Sequence, residues 1–527
     1  MNFFLKFKIK RKIKNKFLNL FKNSKKNLIK RNIILSEFGN SCFNHIAFAY
    51  ICDILSQKFD AKVVAYPGYQ LLSSDLTQSF LNKIKWEIGN LLSIGSFGVH
   101  KSFGVSSIFW PKINNEINLK ALKEFKSYHK IIKSNYDLEK YKIKNILVGD
   151  LIYDSFLKKT LLPTLDINSK EFKLFFLDCL KLFFYWENFF KKNEVKSLVL
   201  YHSVYMSALP SRFALVKKIP TYIVDIGKLY SLSNKRNFNH LEYFDYKNKF
   251  KSFTLTEKKK KLNQAKKILS KKFNGNLSSE LYYMSKSAFG GGNKKRLLRK
   301  SNRLKILISP HAFCDSPHVF GKAFFPDFYI WLKNLGEISN KTDYDWYIKC
   351  HPDPQAYFDN TVDVVKELVK QYPKIIYLKP SSTHNQIINE GIDYVLTVYG
   401  TISGEYPYLG VNAINASKNH TQADYSFTTT PRNRKEYLDL IKNLKKPNRI
   451  KQKKEILEHH YMKYVYYDKK WFFNDINSVK NSIDGYKNFF TIEIYQYWIK
   501  NFDLKKHLKL YGKIKKFISS KDYTLIN

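Results

Sequence analysis

The feature that most constrains the fold of this chain is a regular alternation of short apolar segments and amphipathic stretches between residues 304 and 416. Each apolar segment has the length and composition of a buried strand, and each intervening stretch has helical periodicity. This rhythm predicts a doubly wound α/β domain with a parallel sheet. The predicted strands are 304–309, 346–350, 375–378, 394–398 and 412–416, with helices such as 362–372 and 384–389 between them.

A similar but less regular alternation occupies the N-terminal half. Because 527 residues exceed what one hydrophobic core usually serves, we predict two Rossmann-like α/β lobes. The predicted strands of the first lobe are 33–35, 62–66, 105–110, 197–201 and 221–224. The predicted organisation is a basic segment at 1–31, an N-terminal lobe at 32–230, a connection at 231–303, a C-terminal lobe at 304–430 and C-terminal helices at 431–527.

Residues 1–31 combine many lysines with apolar residues at helical spacing, among them Leu5, Ile9, Ile13 and Phe17. This pattern is typical of a basic amphipathic helix that lies on an anionic membrane surface. Each basic residue near such a surface contributes roughly 1 kcal/mol. The alternative is a lysine-rich tail that frays in solution, and the sequence leaves both open.

The charge of the chain bears on its partners. Lys and Arg number 91 against 44 acidic residues, a formal charge of +47, and such an excess raises nucleic acid or a membrane as a partner. Lysine is, however, spread along the whole chain together with Asn, Ile, Phe and Tyr, as AT-rich coding DNA produces. No RNP-like aromatic box, zinc-finger spacing or phosphate loop accompanies it. We therefore expect a solvated lysine-rich surface and no specific nucleic acid partner.

Cysteine usage and hydropathy bear on location. The five cysteines are scattered and form no Cys-x-x-Cys pair, which argues against a disulfide framework or a zinc site. No apolar run reaches about 18 residues, and the N-terminus lacks a signal-peptide core. We expect a cytoplasmic protein, with residues 1–31 as a peripheral contact to the inner membrane.

Polar residues follow four successive strands of the predicted C-terminal sheet. The carboxyl ends of parallel strands meet at one edge, where ligands bind in open α/β sheets. Each histidine taken singly is more often structural, but together these residues predict one edge suited to binding phosphate. They are Ser309 and His311, then Lys349 and His351, then Ser381, Ser382 and Thr383, then Gly400, Thr401, Ser403 and Glu405.

Two of these segments resemble a known family. The Lys-x-His-Pro run at 349–352 and the Gly-Thr-x-Ser-Gly-Glu-x-Pro-x-x-Gly run at 400–410 are similar to the C-terminal halves of capsule polysaccharide biosynthesis proteins. This group of bacterial surface-polysaccharide glycosyltransferases includes Kdo-transferase-like enzymes and has the two-lobed GT-B fold. Similar elements occur in bacterial sialyltransferases and sugar-nucleotide 2-epimerases. The resemblance covers residues 304–416, with weaker matches at 149–154 and 201–203.

The resemblance implies roles for single residues. His351 contacts a donor phosphate and offsets charge as the nucleotide leaves, and Glu405 accepts hydrogen bonds from ribose hydroxyls. Gly400, Thr401 and Ser403 present backbone amides or hydroxyls to the nucleotide. A helix beginning at this motif is expected to direct its N-terminus toward the phosphate.

No metal or cofactor is expected, and the nucleotide-sugar is a substrate. An Asp-x-Asp pattern at 343–345 precedes a predicted strand instead of terminating one, and the sequence favours a surface turn there.

Acceptor binding is expected from the N-terminal lobe. Glu37, His45, Asp150 and His202 lie in or beside its predicted loops. An inverting transfer needs one general base within reach of the acceptor hydroxyl. We favour Glu37 because it follows the first strand directly, and the alternative is that it caps a helix or lies at the surface.

The resulting hypothesis is transfer of a sugar from a CMP-Kdo-like or UDP-sugar donor to a glycan or glycolipid acceptor, a growing bacterial surface polysaccharide. Two alternatives stay open. One is a sugar-nucleotide epimerase of the same architecture. The other is a non-enzymatic basic protein that binds nucleic acid or membranes.

Overall fold

The computed structural model describes residues 30–39, 41–68, 80–233, 241–276, 286–291, 295–352, 360–448, 452–467 and 471–525. The chain divides into two compact units. Unit 1 comprises residues 1–159, 166–239 and 469–527, and unit 2 comprises residues 160–165 and 240–468. Nearly all of the predicted amphipathic helix, residues 1–29, lies outside the described residues.

Unit 1 is built on a six-stranded sheet in the order β3-β2-β1-β6-β7-β8. The first five of these strands are parallel, and β8 runs antiparallel to β7. Strands β4 and β5 form a separate antiparallel pair. The strands are β1 (Ile33–Phe38), β2 (Lys62–Pro67), β3 (Val105–Ile108), β4 (Lys142–Ile143), β5 (Ile146–Leu147), β6 (Val195–Leu200), β7 (Thr221–Val224) and β8 (Leu229–Leu232).

Helices cover this sheet and arise from capped amphipathic segments. In the longest, Ser169 accepts a hydrogen bond from the Phe172 amide, and a phenylalanine-rich face is buried. The helices that begin in unit 1 are Cys42–Lys58, Phe80–Leu91, Ser96–Ser102, Asn115–Lys126, Tyr128–Ile131, Asn135–Leu138, Gly149–Thr160, Lys170–Lys192, Leu209–Val216, Ile476–Ser482, Ile492–Lys500 and Leu504–Ser519, with 3₁₀ turns at Met206–Ala208 and Tyr486–Phe490.

The end of the chain completes the edge of the unit 1 sheet. The Ser231 amide donates to the Tyr523 carbonyl at 2.8 Å, and the Leu525 amide donates to the Leu229 carbonyl at 2.9 Å. These bonds satisfy backbone groups that an edge strand leaves unpaired. The segment predicted as one helical tail, 431–527, is therefore divided, since residues 431–468 belong to unit 2 and the remainder to unit 1.

Unit 2 is built on a five-stranded parallel sheet in the order β11-β10-β9-β12-β13. The five strands agree with the predicted ones to within one residue at each end. The α/β fold with parallel, Rossmann-like sheets is thereby confirmed. The strands are β9 (Lys305–Ile308), β10 (Asp345–Lys349), β11 (Ile375–Leu378), β12 (Tyr394–Thr397) and β13 (Asn412–Asn415).

Both faces of this sheet are buried. Ile306 and Ile308 of β9 point into one apolar cluster, whereas Leu307 between them points into the other. Burial on two faces explains why the strands are continuous apolar runs.

Two helices of unit 2, Tyr246–Lys251 and Leu255–Phe273, come from the segment predicted as a connection, 231–303. Leu255–Phe273 begins with a capping box between Thr254 and Glu257, and it belongs to unit 2. The other helices are Phe328–Asn340, Thr361–Gln371, His384–Asn389, Ile402–Glu405, Arg434–Lys442 and Lys453–Tyr461, with 3₁₀ turns at Leu241–Asp245 and Tyr406–Leu409 and a π-helical turn at Met462–Tyr466. Within the described ranges, no helix combines the length and apolar content that a bilayer crossing requires.

Candidate functional site

The strand order of unit 2 reverses between β9 and β12, and this reversal brings the loops after those two strands together. His311, after β9, has its Nε2 atom 3.2 Å from the Thr397 hydroxyl oxygen. The same Nε2 atom accepts a hydrogen bond from the Tyr399 amide at 3.4 Å. A Cβ atom at Gly400 would lie only 2.7 Å from Thr397 Oγ1, so the turn after β12 favours glycine, and it would lie 3.6 Å from His311 Cε1, an ordinary contact distance.

His311 is a neutral group in this site. Its ring packs against Phe328 and Tyr399, with centroid distances of 4.6 and 4.5 Å. Burial, followed by the influence of His351, lowers the pKa of His311 to about 3. His311 can therefore exchange hydrogen bonds with a ligand but supplies no positive charge at neutral pH.

Positive charge comes from the end of β10. Lys349 is buried at 2% exposure, and its ammonium group donates to the Cys350 carbonyl at 3.4 Å. Burial lowers the pKa of Lys349 to about 8. His351 is two residues further along the chain and is partly buried. Charge on His351 contributes to the lowered pKa values of His311 and His384.

The loop after β11 contributes a histidine that is not among the predicted site residues. His384 begins the helix His384–Asn389, and its Nδ1 atom lies 2.7 Å from the Tyr406 hydroxyl oxygen. Burial, then Lys349, lowers the pKa of His384 well below its usual value. Of the predicted residues here, Thr383 caps the helix by accepting from the Gln386 amide at 3.3 Å. Ser382 is buried and Ser381 is exposed.

The loop after β12 differs from the expected helix start. The helix Ile402–Glu405 has only four residues and continues as a 3₁₀ turn, so it is too short to sum an appreciable macrodipole. Ser403 is fully buried, donates to the Gly400 carbonyl at 2.8 Å and accepts from Asn415 at 3.2 Å. Ser403 therefore holds the turn, whereas Thr401 is exposed.

Glu405 is buried and paired with a residue that no sequence pattern indicated. Lys272 Nζ lies 2.6 Å from Glu405 Oε1, and both side chains are buried. Lys272 is in the last turn of the helix Leu255–Phe273, 133 residues away in sequence.

These contacts bring the four predicted loops to one edge of the sheet. Gly400 approaches His311, and His384 bonds to the residue after Glu405. His351 acts electrostatically on both histidines. The result is a buried region with two lysines, one carboxylate and several neutral histidines.

Metal binding has no support from side-chain clusters in the described part of the chain, where no group of three or more His, Cys, Asp or Glu side chains is arranged to hold an ion. The predicted surface turn at 343–345 is only half correct. Asp343 is exposed, but Asp345 is buried as the first residue of β10, where its carboxylate accepts from the Ser301 hydroxyl.

In unit 1, Glu37 is the last residue but one of β1 and is 4% exposed. Its Oε2 atom accepts a hydrogen bond from the Tyr201 amide at 2.8 Å. A Cβ atom at Gly68 would lie 2.0 Å from Glu37 Oε1, so the carboxylate covers the end of β2. His202 follows Tyr201 beyond the end of β6. Glu37 and His202 are thus brought to the same end of the sheet.

The other two predicted acceptor residues lie in helices instead of loops. Asp150 is the second residue of Gly149–Thr160 and is buried against Arg212, with 2.7 Å between Oδ2 and the guanidinium. His45 is the fourth residue of Cys42–Lys58. Its Nε2–H donates to the Gly39 carbonyl at 2.7 Å, and its Nδ1 accepts from the Tyr495 hydroxyl.

A neighbouring histidine, His100, differs from His45 in its hydrogen bonding. It is 1% exposed, and neither ring nitrogen has a hydrogen-bond partner among the described residues. Its ring lies 5.4 Å from Phe38 and 4.9 Å from His45. A desolvated polar group without a partner costs about 1–3 kcal/mol.

Two matched substitutions test this difference. We expect His100→Leu to raise the free energy of unfolding by about 1 kcal/mol, because it removes an unsatisfied polar group. His45→Leu should lower it by about 2 kcal/mol, because it leaves the Gly39 carbonyl and the Tyr495 hydroxyl without this partner. Urea denaturation of both variants measures the difference. Equal destabilisation by the two changes would refute the contrast.

No family model and no curated protein matches this chain. Solved structures similar to it include Thermosulfurimonas dismutans KpsC, a beta Kdo 2,7 transferase, at 16% identity and a TM-score of 0.29 over 53% of this chain and 89% of that one. UDP-GlcNAc 2-epimerase from Neisseria meningitidis, bound to UDP-GlcNAc, is similar at 11% identity and a TM-score of 0.21 over 82% and 100%. Acinetobacter baumannii MurG is similar at 11% and 0.23 over 82% and 95%.

The similar structures thus include a Kdo transferase, the enzyme type that the sequence resemblance names. The similarity is at the level of structure only. At these identities and TM-scores the overlaps carry no argument about activity. The assignment of the fold rests on the two parallel sheets of the chain itself.

Proposed function

We propose that this protein is a glycosyltransferase that moves a sugar from a nucleotide-sugar donor, CMP-Kdo-like or a UDP-sugar, to a growing bacterial surface polysaccharide. Unit 2 binds the nucleotide. The observation that supports this proposal is the meeting of Lys349, His351, Gly400 and Glu405 at one edge of a parallel sheet.

In this proposal, Lys349 and His351 face the donor phosphate. A cation held in a largely dry site interacts strongly with negative charge that develops on a leaving group. Lys349 is already desolvated, so it needs little reorganisation when the phosphate departs. Positive charge in the proposed reaction comes from these side chains, and no metal or cofactor is required.

Glu405 is proposed for the ribose. An ionised carboxylate accepts two hydrogen bonds from vicinal hydroxyls, and such charge-assisted bonds are about twice as strong as neutral ones. Thr401 and Gly400 lie in the same turn, and Ser403 stabilises the conformation of that turn by its hydrogen bonds. Ser309, Ser381, Ser382 and Thr383 complete the predicted edge.

Acceptor binding is proposed for unit 1. Glu37 is the proposed general base, with His202 and His45 on the acceptor side. Asp150 forms a buried ion pair with Arg212, and its place on the acceptor side is a prediction that substitution tests. Attachment of residues 1–31 to an anionic membrane surface is part of the proposal, as is a cytoplasmic location.

A thermal-shift screen with CMP, CDP, UDP and GDP tests nucleotide binding. A ligand at a hundred times its dissociation constant adds about 2.7 kcal/mol to stability. We expect Glu405→Gln and His351→Ala to weaken binding of the best nucleotide at least about tenfold, a loss of about 1.4 kcal/mol.

Matched controls for these variants are Glu367→Gln and His129→Ala, since both residues are exposed. Unchanged affinity in both site variants, or no stabilisation of the wild type by any nucleotide, would contradict the proposal. Incubating the donor sugar-nucleotide alone separates the epimerase alternative, because an epimerase interconverts it with its epimer whereas a transferase at most hydrolyses it.

A further inference from the structure

The buried ion pair between Lys272 and Glu405 is the least expected feature of the nucleotide site. The two atoms Lys272 Nζ and Glu405 Oε1 are 2.6 Å apart. Among the described residues, no hydrogen bond engages the second carboxylate oxygen, Oε2. Lys272 therefore holds Oε1 of Glu405, and Oε2 can accept a hydrogen bond from a ligand.

We infer that Lys272 is the positioning residue of Glu405 and thereby sets a preference of the nucleotide site for ribose over 2′-deoxyribose. The inference rests on the proposed function, because it concerns the nucleotide that unit 2 is proposed to bind.

This ion pair is a poor device for stability alone. Taking two charges out of water is costly, and well-packed apolar residues of similar volume are often as stable or more so. Lys272 is also held firmly, because its helix begins with a capping box and buries Ala265 and Leu269. A rigid helix thus presents a cation to one particular carboxylate.

The backbone next to Glu405 is closely packed. A Cβ atom at the preceding Gly404 would lie 3.2 Å from Gln422 Nε2 and 3.5 Å from His459 Cε1. Ser403 is hydrogen-bonded on the other side of Gly404. Because the turn is closely packed, the direction of the Glu405 carboxylate depends mainly on its side-chain torsions, which the ion pair with Lys272 restrains.

The positive charge of Lys272 also bears on its neighbours. Burial, and next to it the charge of Lys272, lowers the pKa of His460 well below its usual value, so this neighbouring histidine is neutral. Lys272 is then the charged group that pairs with the Glu405 carboxylate. An ionised carboxylate accepts from both hydroxyls of a vicinal diol, whereas 2′-deoxyribose offers one hydroxyl fewer.

The test compares binding of a ribonucleotide with that of its 2′-deoxy analogue by isothermal titration calorimetry. The probes are CMP and 2′-deoxy-CMP, or the matching pair for whichever nucleotide stabilises the wild type most. We expect the wild type to prefer the ribonucleotide about tenfold or more, the size of one charge-assisted hydrogen bond.

In Lys272→Met we expect the ratio of the two dissociation constants to fall close to one. The ribonucleotide should bind more weakly, whereas the affinity for the deoxynucleotide should change little. Glu405→Gln should have the same effect. The adjacent Lys271→Met is the matched control, because Lys271 is exposed on the same helix turn, and it should keep both affinities. Lys272→Gln keeps a hydrogen-bond donor beside Glu405 and guards against a folding defect in the Met variant.

The outcomes separate this inference from the proposed function. Equal weakening of both nucleotides in Lys272→Met and Lys272→Gln would overturn it, because Lys272 would then act on the phosphate or on folding alone. An unchanged preference in both variants would overturn it as well. Failure of every nucleotide to bind the wild type would instead remove the proposed function itself.

Discussion

Replacing Asp150 with leucine is expected to lower the free energy of unfolding by about 3–5 kcal/mol, the usual cost of removing one partner of a buried ion pair. The side chains of Asp150 and Arg212 are only 5% and 4% exposed, and Oδ2 lies 2.7 Å from the guanidinium. The other oxygen of Asp150 accepts from the Leu151 amide at 2.9 Å. Leucine would leave the charge of Arg212 buried without its carboxylate.

A double substitution separates the ion pair from other effects. Asp150→Leu combined with Arg212→Met removes both charges, and we expect it to regain most of the lost stability, because apolar residues can replace a buried pair at little cost. Glu116→Gln breaks an exposed pair with Lys120 and should change stability little. Urea denaturation measures all of these.

The result also decides between two roles for Asp150. The sequence placed it on the acceptor side, whereas the structure buries it in a helix. If Asp150→Leu unfolded like the wild type but lost transfer activity, the acceptor role would be supported and the structural role rejected.

Nucleotide affinity is expected to fall as pH rises above about 8, by up to tenfold per pH unit, because one proton on Lys349 is lost. Burial disfavours the ammonium form, so the pKa of Lys349 lies near 8 instead of 10.5. Below that pH the side chain is a cation that attracts phosphate. A bound phosphate favours the ammonium and raises its pKa in the complex, so the decline in affinity ends once the pH passes that higher value.

Stability should change in the opposite direction over the same range. Lys349 in the unfolded chain keeps its proton up to its ordinary pKa, so between about 8 and 10.5 the unfolded state binds more protons than the folded state. Stability then rises with pH in this window, and the destabilising contribution of the buried ammonium is fully present below it.

Calorimetric titrations with cytidine nucleotides from pH 7 to 10 measure the pH dependence of nucleotide affinity, and urea denaturation over the same range measures that of stability. In Lys349→Met we expect weak binding that no longer depends on pH, and a loss of the stability slope. Lys370→Met, which changes an exposed lysine on a helix of the same unit, should behave like the wild type. A pH-dependent affinity that persists in Lys349→Met would assign the titration to another group.

Much of unit 2 follows from local sequence. Its strands are buried on both faces, so each is a short uninterrupted apolar run that the sequence displays directly. The residues after β9, β10 and β12 could be named in advance for the same reason, because the end of a buried strand fixes where a loop begins. The reversal of strand order between β9 and β12 then brought His311 within contact of Gly400.

Other features could not be read locally. Strand β8 is an antiparallel edge strand of four residues whose outer neighbour, Thr524, is nearly 300 residues away. His100 lies in a short helix. Its lack of a hydrogen-bond partner among the described residues depends on side chains that only the folded chain brings around it.

The sequence by itself determined the alternation of strands and helices, the parallel sheets and the loops that carry polar side chains, because these depend on periodicity within a few residues. Only the tertiary structure decided which charges meet. Lys272 beside Glu405 and Arg212 beside Asp150 are pairs between distant segments, and the burial that gives each pair its importance exists only after the chain has folded. Electrostatic interactions depend on distance and desolvation, and neither is encoded in the spacing of residues along the chain.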